Sequence, residues 1–187
     1  MGILALPAIG ILNDVVTSDD ARIMHRLLHP TGEFAARFMI IGMMATPLMY
    51  LFKGWCAPRW LVKNRRYFGV AAFGYAALHT GFYLGSEPWA TVVSDFTKLD
   101  IWTGWLAFVI FIPLAATSMD YAARKLGTAW KPLQRWTYVL TLMHWASLHD
   151  WRSPWAAVIH FAPLALLTLY RLWYVYLRPR RPTAAAA

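Results

Sequence analysis

Five long apolar windows constrain the fold of this chain more than any other feature. Each has about the 20 residues that a helix needs to cross the hydrocarbon core of a bilayer. The windows are 34–52, 67–85, 101–119, 133–148 and 155–177. Only 14% of the 187 residues are charged, which leaves little polar sequence for a soluble domain. We therefore predict an all-α, polytopic membrane helix bundle with five full transmembrane helices.

The N-terminal segment is a sixth apolar stretch. It runs from Ile3 to Ile11 and contains Pro7 and Gly10, so it is too short to span a bilayer unaided. No basic region precedes it, as one would in a signal peptide. We predict a half-helix, or a sixth helix if it crosses. The whole chain, 1–187, is predicted to be one transmembrane domain, divided into an N-terminal helix with an outer loop (1–33), a bundle (34–177) and a cytoplasmic tail (178–187).

The net charge of +9 does not indicate a nucleic-acid partner, because the charges alternate along the chain. Thirteen of the 18 basic residues lie in three alternate connections, at 53–66, 124–135 and 171–181, and eight of the nine acids lie in the others. Positive charge marks the cytoplasmic side of a membrane protein. We predict a multi-pass protein of the bacterial inner membrane with a cytoplasmic C-terminus.

The chain carries no catalytic motif of its own. Its single cysteine, Cys56, excludes an internal disulfide and an iron–sulfur cluster built by this chain. We find no serine nucleophile, paired intramembrane carboxylates, phosphate loop or zinc signature. We therefore predict no catalytic residue; at most the chain is the redox membrane subunit of an oxidoreductase system.

Histidines inside the apolar windows are the candidate site residues, since intramembrane ionisable groups are rare and functional. With a rise of 1.5 Å per residue, His79 lies about 20 Å along its window, and His144 and His149 lie about 16 Å and 24 Å along theirs. Two imidazoles on neighbouring helices at matching depth are what a six-coordinate b-type haem requires. We predict one haem b, with its iron held by His79 and by either His144 or His149.

Several short motifs carry a family resemblance. They are Thr31-Gly32, Thr46-Pro47-Leu48, Arg65-Arg66-Tyr67-Phe68-Gly69, Ala77-Leu78-His79, Ala123-Arg124-Lys125-Leu126-Gly127 and Trp130-Lys131-Pro132-Leu133-Gln134-Arg135. In this order they resemble the ferric reductase-like transmembrane family, specifically the haem-binding membrane subunits of periplasmic methionine sulfoxide reductase systems. The resemblance implies that electrons pass from a cytoplasmic flavin or from quinol, through b-type haem, to an acceptor outside. It also implies that His79 is an axial ligand.

The chain departs from that pattern on the fourth window. The family's helix opens with Leu-His-Arg and has a second histidine about thirteen residues later; here the first position is Gln134 and the second is Ser147. His144 precedes Ser147 by three residues and His149 follows it by two. The departure predicts that no bis-histidine haem forms in the inner half of the membrane. It leaves the second ligand of the outer haem open between the two histidines.

The leading prediction is a haem b-binding membrane electron-transfer subunit that passes electrons to an acceptor on the outer side. The chain would lie in the lipid bilayer, and its partner would be a periplasmic oxidoreductase or the quinone pool. A flavin or quinone would be a further cofactor. Arg65 and Arg66 are candidates to bind a flavin phosphate. The alternative, motivated by Gln134, is a haem-poor or haem-free structural or assembly subunit of a larger photosynthetic or respiratory complex. A third alternative is an outer metal site. Its ligands would be His25, His29, His149 and Asp150.

Overall fold

Helices form every regular element in the part of the chain that the computed structural model describes, residues 2–148 and 154–177. In chain order they are α1 (Gly2–Thr17), α2 (Ile23–Leu51), α3 (Cys56–Ser86), α4 (Trp89–Asp95), α5 (Leu99–Ala116), α6 (Asp120–Leu126), α7 (Trp130–Leu148) and α8 (Pro154–Leu172). A 3-10 turn, Gly127–Ala129, precedes α7, and a π-helical turn, Trp173–Leu177, follows α8. The all-α prediction is confirmed.

The five long helices α2, α3, α5, α7 and α8 alternate in direction, and ion pairs mark the two ends of the bundle. At one end, His25 at the start of α2 pairs with Glu87, which follows α3. At the other end, Arg66 near the start of α3 pairs with Asp120, which follows α5. We call the end with Glu87, Asp95 and Asp100 the acidic end, and the end with Arg65, Arg66 and Asp120 the basic end.

Small side chains let α2 and α3 pack closely. Ala35 and Ala45 on α2 and Ala72 on α3 are at most 1% exposed. At Gly42 a β-carbon would lie 3.5 Å from both the carbonyl of Arg65 and the β-carbon of Phe68, so the backbones nearly touch there. This pair of helices forms the centre of the bundle, against which α5, α7, α8 and the N-terminal α1 pack.

The ends of the helices differ from the sequence prediction. The loop predicted up to residue 33 is wrong, because α2 already begins at Ile23 and contains Pro30. The helix continues through the proline with Leu27 packed in the core, and the Thr31 hydroxyl lies within hydrogen-bond distance of the carbonyls of Leu27 and Leu28. Cys56 likewise lies in the first turn of α3, not in a loop.

Two of the described helices, Ile23–Leu51 and Leu99–Ala116, are long and apolar enough to cross a membrane. Within the most apolar stretch of each helix, 33% and 22% of the residues are buried inside the protein. Helix α3 has 31 residues, which is ample length, but its basic start and its glycines, tyrosines and histidine lower its mean hydropathy. The prediction of five full spans is thus neither confirmed nor contradicted by hydropathy.

We predict that Ala72→Leu destabilises the protein by overpacking the contact between α2 and α3. Ala72 is fully buried, and extra methyl groups in a tight contact typically cost about 1–3 kcal/mol. Thermal unfolding of the detergent-purified protein measures the effect. The matched control is Gly69→Ala on the same helix, where the added methyl meets open space. Equal melting temperatures for Ala72→Leu and wild type would contradict this packing.

Candidate cofactor-binding site

His79 on α3 is held by a hydrogen bond that crosses to α2. Its Nδ1 lies 2.9 Å from the backbone carbonyl oxygen of Leu28 and 3.5 Å from the hydroxyl of Thr31. A carbonyl oxygen only accepts, so Nδ1 carries the hydrogen and donates it. The second ring nitrogen, Nε2, therefore keeps its lone pair. A neutral imidazole fixed in this way is a typical metal ligand.

The ring of His79 forms part of the wall of a cavity of about 540 Å³. Pockets of roughly 300–1,000 Å³ are typical of small-molecule and cofactor sites. Four of the long helices contribute to the wall, and α4 lies at its edge. The apolar part of the lining consists of Leu28, Ala76, Ile101, Gly104, Trp105, Ala107, Phe108, Phe111 and Leu140.

Small residues on two helices line the cavity together with His79. Ala76 lies one turn before His79 on α3, and Gly104 and Ala107 occupy one side of α5. Aromatic rings border them, and Phe108 stacks on Phe73 with ring centroids 6.0 Å apart. A wall of small residues bordered by rings suits a flat, apolar ligand.

Polar side chains line the cavity towards the acidic end. Asp95 is buried; it accepts a hydrogen bond from the Tyr83 hydroxyl at 3.4 Å and pairs with Lys98 at 2.8 Å. The hydrogen bond and the negative charge of Asp95 raise the pKa of Lys98. Glu87 and Asp100 also contribute to the lining. The cavity thus changes from apolar to charged along its length.

His25 and His29 line the same cavity as His79, although the sequence placed them in a loop outside the membrane. Both lie on the first turns of α2. His25 lies 3.4 Å from Glu87, and His29 lies 3.9 Å from Glu33. The other two ligands of the predicted outer metal site, His149 and Asp150, lie outside the described residues, so that site stays a prediction.

The two candidates for the second axial position fall at the edge of what the structure describes. His144 lies on α7, and only its backbone is described. His149 lies outside the described residues. The choice between them stays a prediction.

Gln134, where the family pattern has a histidine, is bound to α5 at the basic end. Its amide nitrogen donates to the Leu114 carbonyl and the Thr117 hydroxyl, each at 3.3 Å. Trp130 adds a bond from its indole nitrogen to the Thr117 carbonyl at 2.9 Å. These donors bond carbonyls at the end of α5, where the last carbonyls of a helix lack backbone partners; the Leu114 carbonyl also accepts from the Ser118 hydroxyl at 2.7 Å. The side chain of Gln134 therefore has a structural role here.

Arg65 and Arg66 also have partners within the bundle. Arg65 donates to the Thr46 hydroxyl at 3.2 Å. Arg66 pairs with Asp120 and lies 5.2 Å from the centre of the Trp130 ring. These contacts tie α3 to the neighbouring helices, and they give no support to a flavin phosphate site at these residues.

Comparison with known proteins identifies the family. A sequence model described as ferric reductase like transmembrane component matches residues 31–145, which is more than half of the chain and includes His79. The chain belongs to the ferric reductase-like transmembrane family. It is therefore a membrane protein, and the resemblance seen in the sequence motifs is confirmed.

Curated bacterial members of this family are similar over most of their length. Proteins from Brucella ovis, Brucella canis and Brucella suis are each 32% identical over 162 residues, covering 82% of this chain and 70% of the relative. Each is named protein-methionine-sulfoxide reductase heme-binding subunit MsrQ. No solved structure matches the chain. These relatives support a bacterial inner-membrane protein.

Sequence reasoning found His79 and missed the groups around it. The Leu28 carbonyl is backbone and has no sequence signal, and Thr31 was noted only as a family motif. Asp95 and Lys98 lie on and after the short helix α4, which no hydropathy window predicts. Tyr83 could have been predicted from the sequence, because it lies four residues after His79 and so on the same face of α3.

We predict that Gln134→Met destabilises the basic end. The substitution keeps the size of the side chain and removes the donor to Leu114 and Thr117, which lowers the free energy of unfolding by about 1 kcal/mol. Denaturation in mixed micelles measures it. Asn64→Leu is the control, because the Asn64 amide bonds the carbonyl of Trp60 on its own helix and, within the described residues, ties no second helix. An effect of Gln134→Met no larger than that of the control would contradict a structural role.

Proposed function

We propose that this chain is a haem b-binding membrane electron-transfer subunit that passes electrons to an acceptor on the outer side. The observation that carries the proposal is His79. Its Nδ1–H is bound to the Leu28 carbonyl, which leaves the lone pair on Nε2, and the ring lines a largely apolar cavity. The relatives named as haem-binding subunits support the same cofactor.

The residues of the cavity fit a haem. His79 would hold the iron, and the small residues Ala76, Gly104 and Ala107 would let the macrocycle approach the helices. Phe108 and Phe111 contribute apolar rings to the same lining. When bound, haem supplies a one-electron carrier. The chain fixes its position and its potential through the axial ligand and the surrounding polarity.

His144 is our choice for the second axial ligand. Position 144 lies four residues after Leu140, which lines the cavity, so both positions fall on the same face of α7. His149 lies outside the described residues; if the 3.6-residue repeat of α7 extended to it, position 149 would fall about half a turn from Leu140. The helical repeat therefore favours His144 over His149.

The whole chain is proposed to be a single transmembrane domain with five full spans and a cytoplasmic C-terminus. Arg59, Lys63, Arg65 and Arg66 all lie on the first part of α3, whereas Glu87, Asp95 and Asp100 lie at the opposite end of the bundle. Basic residues concentrate on the cytoplasmic side of membrane proteins. The basic end would then face the cytoplasm, and the cavity would open towards the outer side.

Electron entry follows from the position of the single haem. Gln134 and Arg66 are both engaged in contacts between helices at the basic end, which supports the absence of a second haem there. A cytoplasmic flavin would lie about 20 Å below His79 by helix rise, whereas a quinol can diffuse within the bilayer to the level of the cavity. We therefore favour the quinone pool as donor and a periplasmic oxidoreductase as acceptor.

The proposal predicts that His79→Ala abolishes haem binding. The reduced-minus-oxidised visible spectrum of the protein purified after haem-replete expression should show a b-type haem in wild type and none in the variant. His160→Ala on α8 is the matched control, a histidine to which we assign no role. Wild-type protein without haem would contradict the proposal and favour the structural-subunit alternative. Co-purification of that haem-free chain with a large membrane complex at fixed stoichiometry would support the alternative further.

The same spectra test the second ligand. His144→Ala should lower haem content about as much as His79→Ala, because a six-coordinate haem loses half of its protein ligands in either variant. His149→Ala should retain haem. The reverse pattern would move the second ligand to His149 and leave the role of His79 intact.

The topology predicts which side of the membrane exposes Cys56. This single cysteine is exposed and lies at the basic end, next to the connection between α2 and α3. A membrane-impermeant maleimide should label it in inverted vesicles and not in spheroplasts. The double variant Cys56→Ser with Ser94→Cys, which moves the thiol to α4, should show the opposite pattern. Labelling of Cys56 in intact spheroplasts would contradict the proposed orientation.

A further inference from the structure

We propose that Thr31 is a positioning residue for His79: its hydroxyl and the Leu28 carbonyl together form a two-acceptor cradle for Nδ1–H. This inference rests on the proposed haem-binding function, since it assigns to Thr31 an effect on the haem that His79 would ligate. It also predicts which nitrogen of the His79 imidazole carries the hydrogen, and this can be measured without haem.

The cradle is buried and tightly bonded. Thr31 is 0% exposed. Its hydroxyl oxygen lies 2.7 Å from the Leu27 carbonyl, 2.9 Å from the Leu28 carbonyl and 3.5 Å from Nδ1 of His79. A hydroxyl has one hydrogen and two lone pairs, so it donates to one carbonyl and keeps a lone pair for the imidazole N–H. Two oxygens thus face Nδ1.

Thr31 directly follows Pro30 in α2. Proline has no N–H, so α2 lacks one backbone hydrogen bond here. The Thr31 hydroxyl donates its one hydrogen within this turn, to the carbonyl of Leu27 or of Leu28. The Leu28 carbonyl is the acceptor for His79, so the hydroxyl fixes the acceptor as well as contributing to it.

The cradle acts on the free nitrogen of His79. Acceptors on the Nδ1–H of a metal-bound histidine fix its tautomer and ring orientation and make the ligating nitrogen more basic. A more basic ligand stabilises ferric over ferrous iron, which lowers the reduction potential. Thr31 therefore holds the haem at a lower potential than the Leu28 carbonyl alone would.

The chain supplies a close control for this local geometry. Thr103 on α5 is 5% exposed, and its hydroxyl bonds the carbonyls of Leu99 at 2.7 Å and Asp100 at 3.0 Å. This is the same pair of bonds to the preceding turn that Thr31 makes. In the described part of the chain, the hydrogen bonds of the Thr103 hydroxyl go to its own helix only.

The test compares Thr31→Val, Thr31→Ser and Thr103→Val by haem content and by redox titration of the visible spectrum. Loss of a partner behind a metal ligand typically weakens metal binding about 10- to 100-fold. A tenfold weakening confined to the ferric form corresponds to a rise of about 59 mV for one electron. We expect a rise of this order for Thr31→Val and the wild-type potential for Thr31→Ser and Thr103→Val.

A potential and haem content of Thr31→Val equal to those of wild type would overturn the role of Thr31 and leave haem binding intact. A rise of the same size in Thr103→Val would overturn it too, because the effect would then be general to buried threonines. If Thr31→Val does not fold, Thr31→Ala carries the same comparison.

A second readout separates this inference from the proposed function. In haem-free protein with ¹⁵N-labelled histidines, assigned through His79→Asn, the nitrogen shifts report which ring nitrogen carries the hydrogen. Wild type should show His79 protonated at Nδ1, and Thr31→Val should populate the other tautomer. Identical His79 nitrogen shifts in wild type and Thr31→Val would overturn the inference even if the protein binds haem. A change of tautomer in Thr31→Val would support the role of Thr31 even if the protein binds no haem.

Discussion

The hydrogen bond from His79 to the Leu28 carbonyl is the interaction on which the rest of the site depends. It exists only because α2 and α3 pack closely, through Ala35, Gly42 and Ala72, and because α2 continues past Pro30. It fixes which nitrogen of the imidazole carries the hydrogen. The free nitrogen then belongs to the cavity, where a metal in a flat cofactor can reach it.

The two ends of the bundle have different physical character. At the acidic end, carboxylates and Lys98 surround the opening of the cavity, and α4 lies at its edge. At the basic end, Gln134, Trp130 and the Arg66–Asp120 pair tie the helices to each other. The cavity therefore lies near one end, while contacts between helices fill the other end. This asymmetry supports our proposal of one haem, near the outer face.

The sequence predicts the helices better than it predicts the site. Apolar windows located all five long helices, because burial in lipid needs long runs of apolar side chains. The start of α2 was misplaced by eleven residues, because the predicted window was limited to an apolar run and the helix continues through the charged residues Arg26 and Glu33. His79 was predicted because a histidine in an apolar helix is rare. Asp95, Lys98 and the Leu28 carbonyl were not predicted, since their place beside His79 depends on contacts between distant segments.

The number of haems per chain tests the account most directly. Haem is quantified by the pyridine haemochromogen spectrum and protein by amino-acid analysis, on wild-type protein purified after haem-replete expression. We expect one haem per chain, held through His79. Two haems per chain would contradict the structural role of Gln134 at the basic end, and a chain without haem would contradict the electron-transfer function itself.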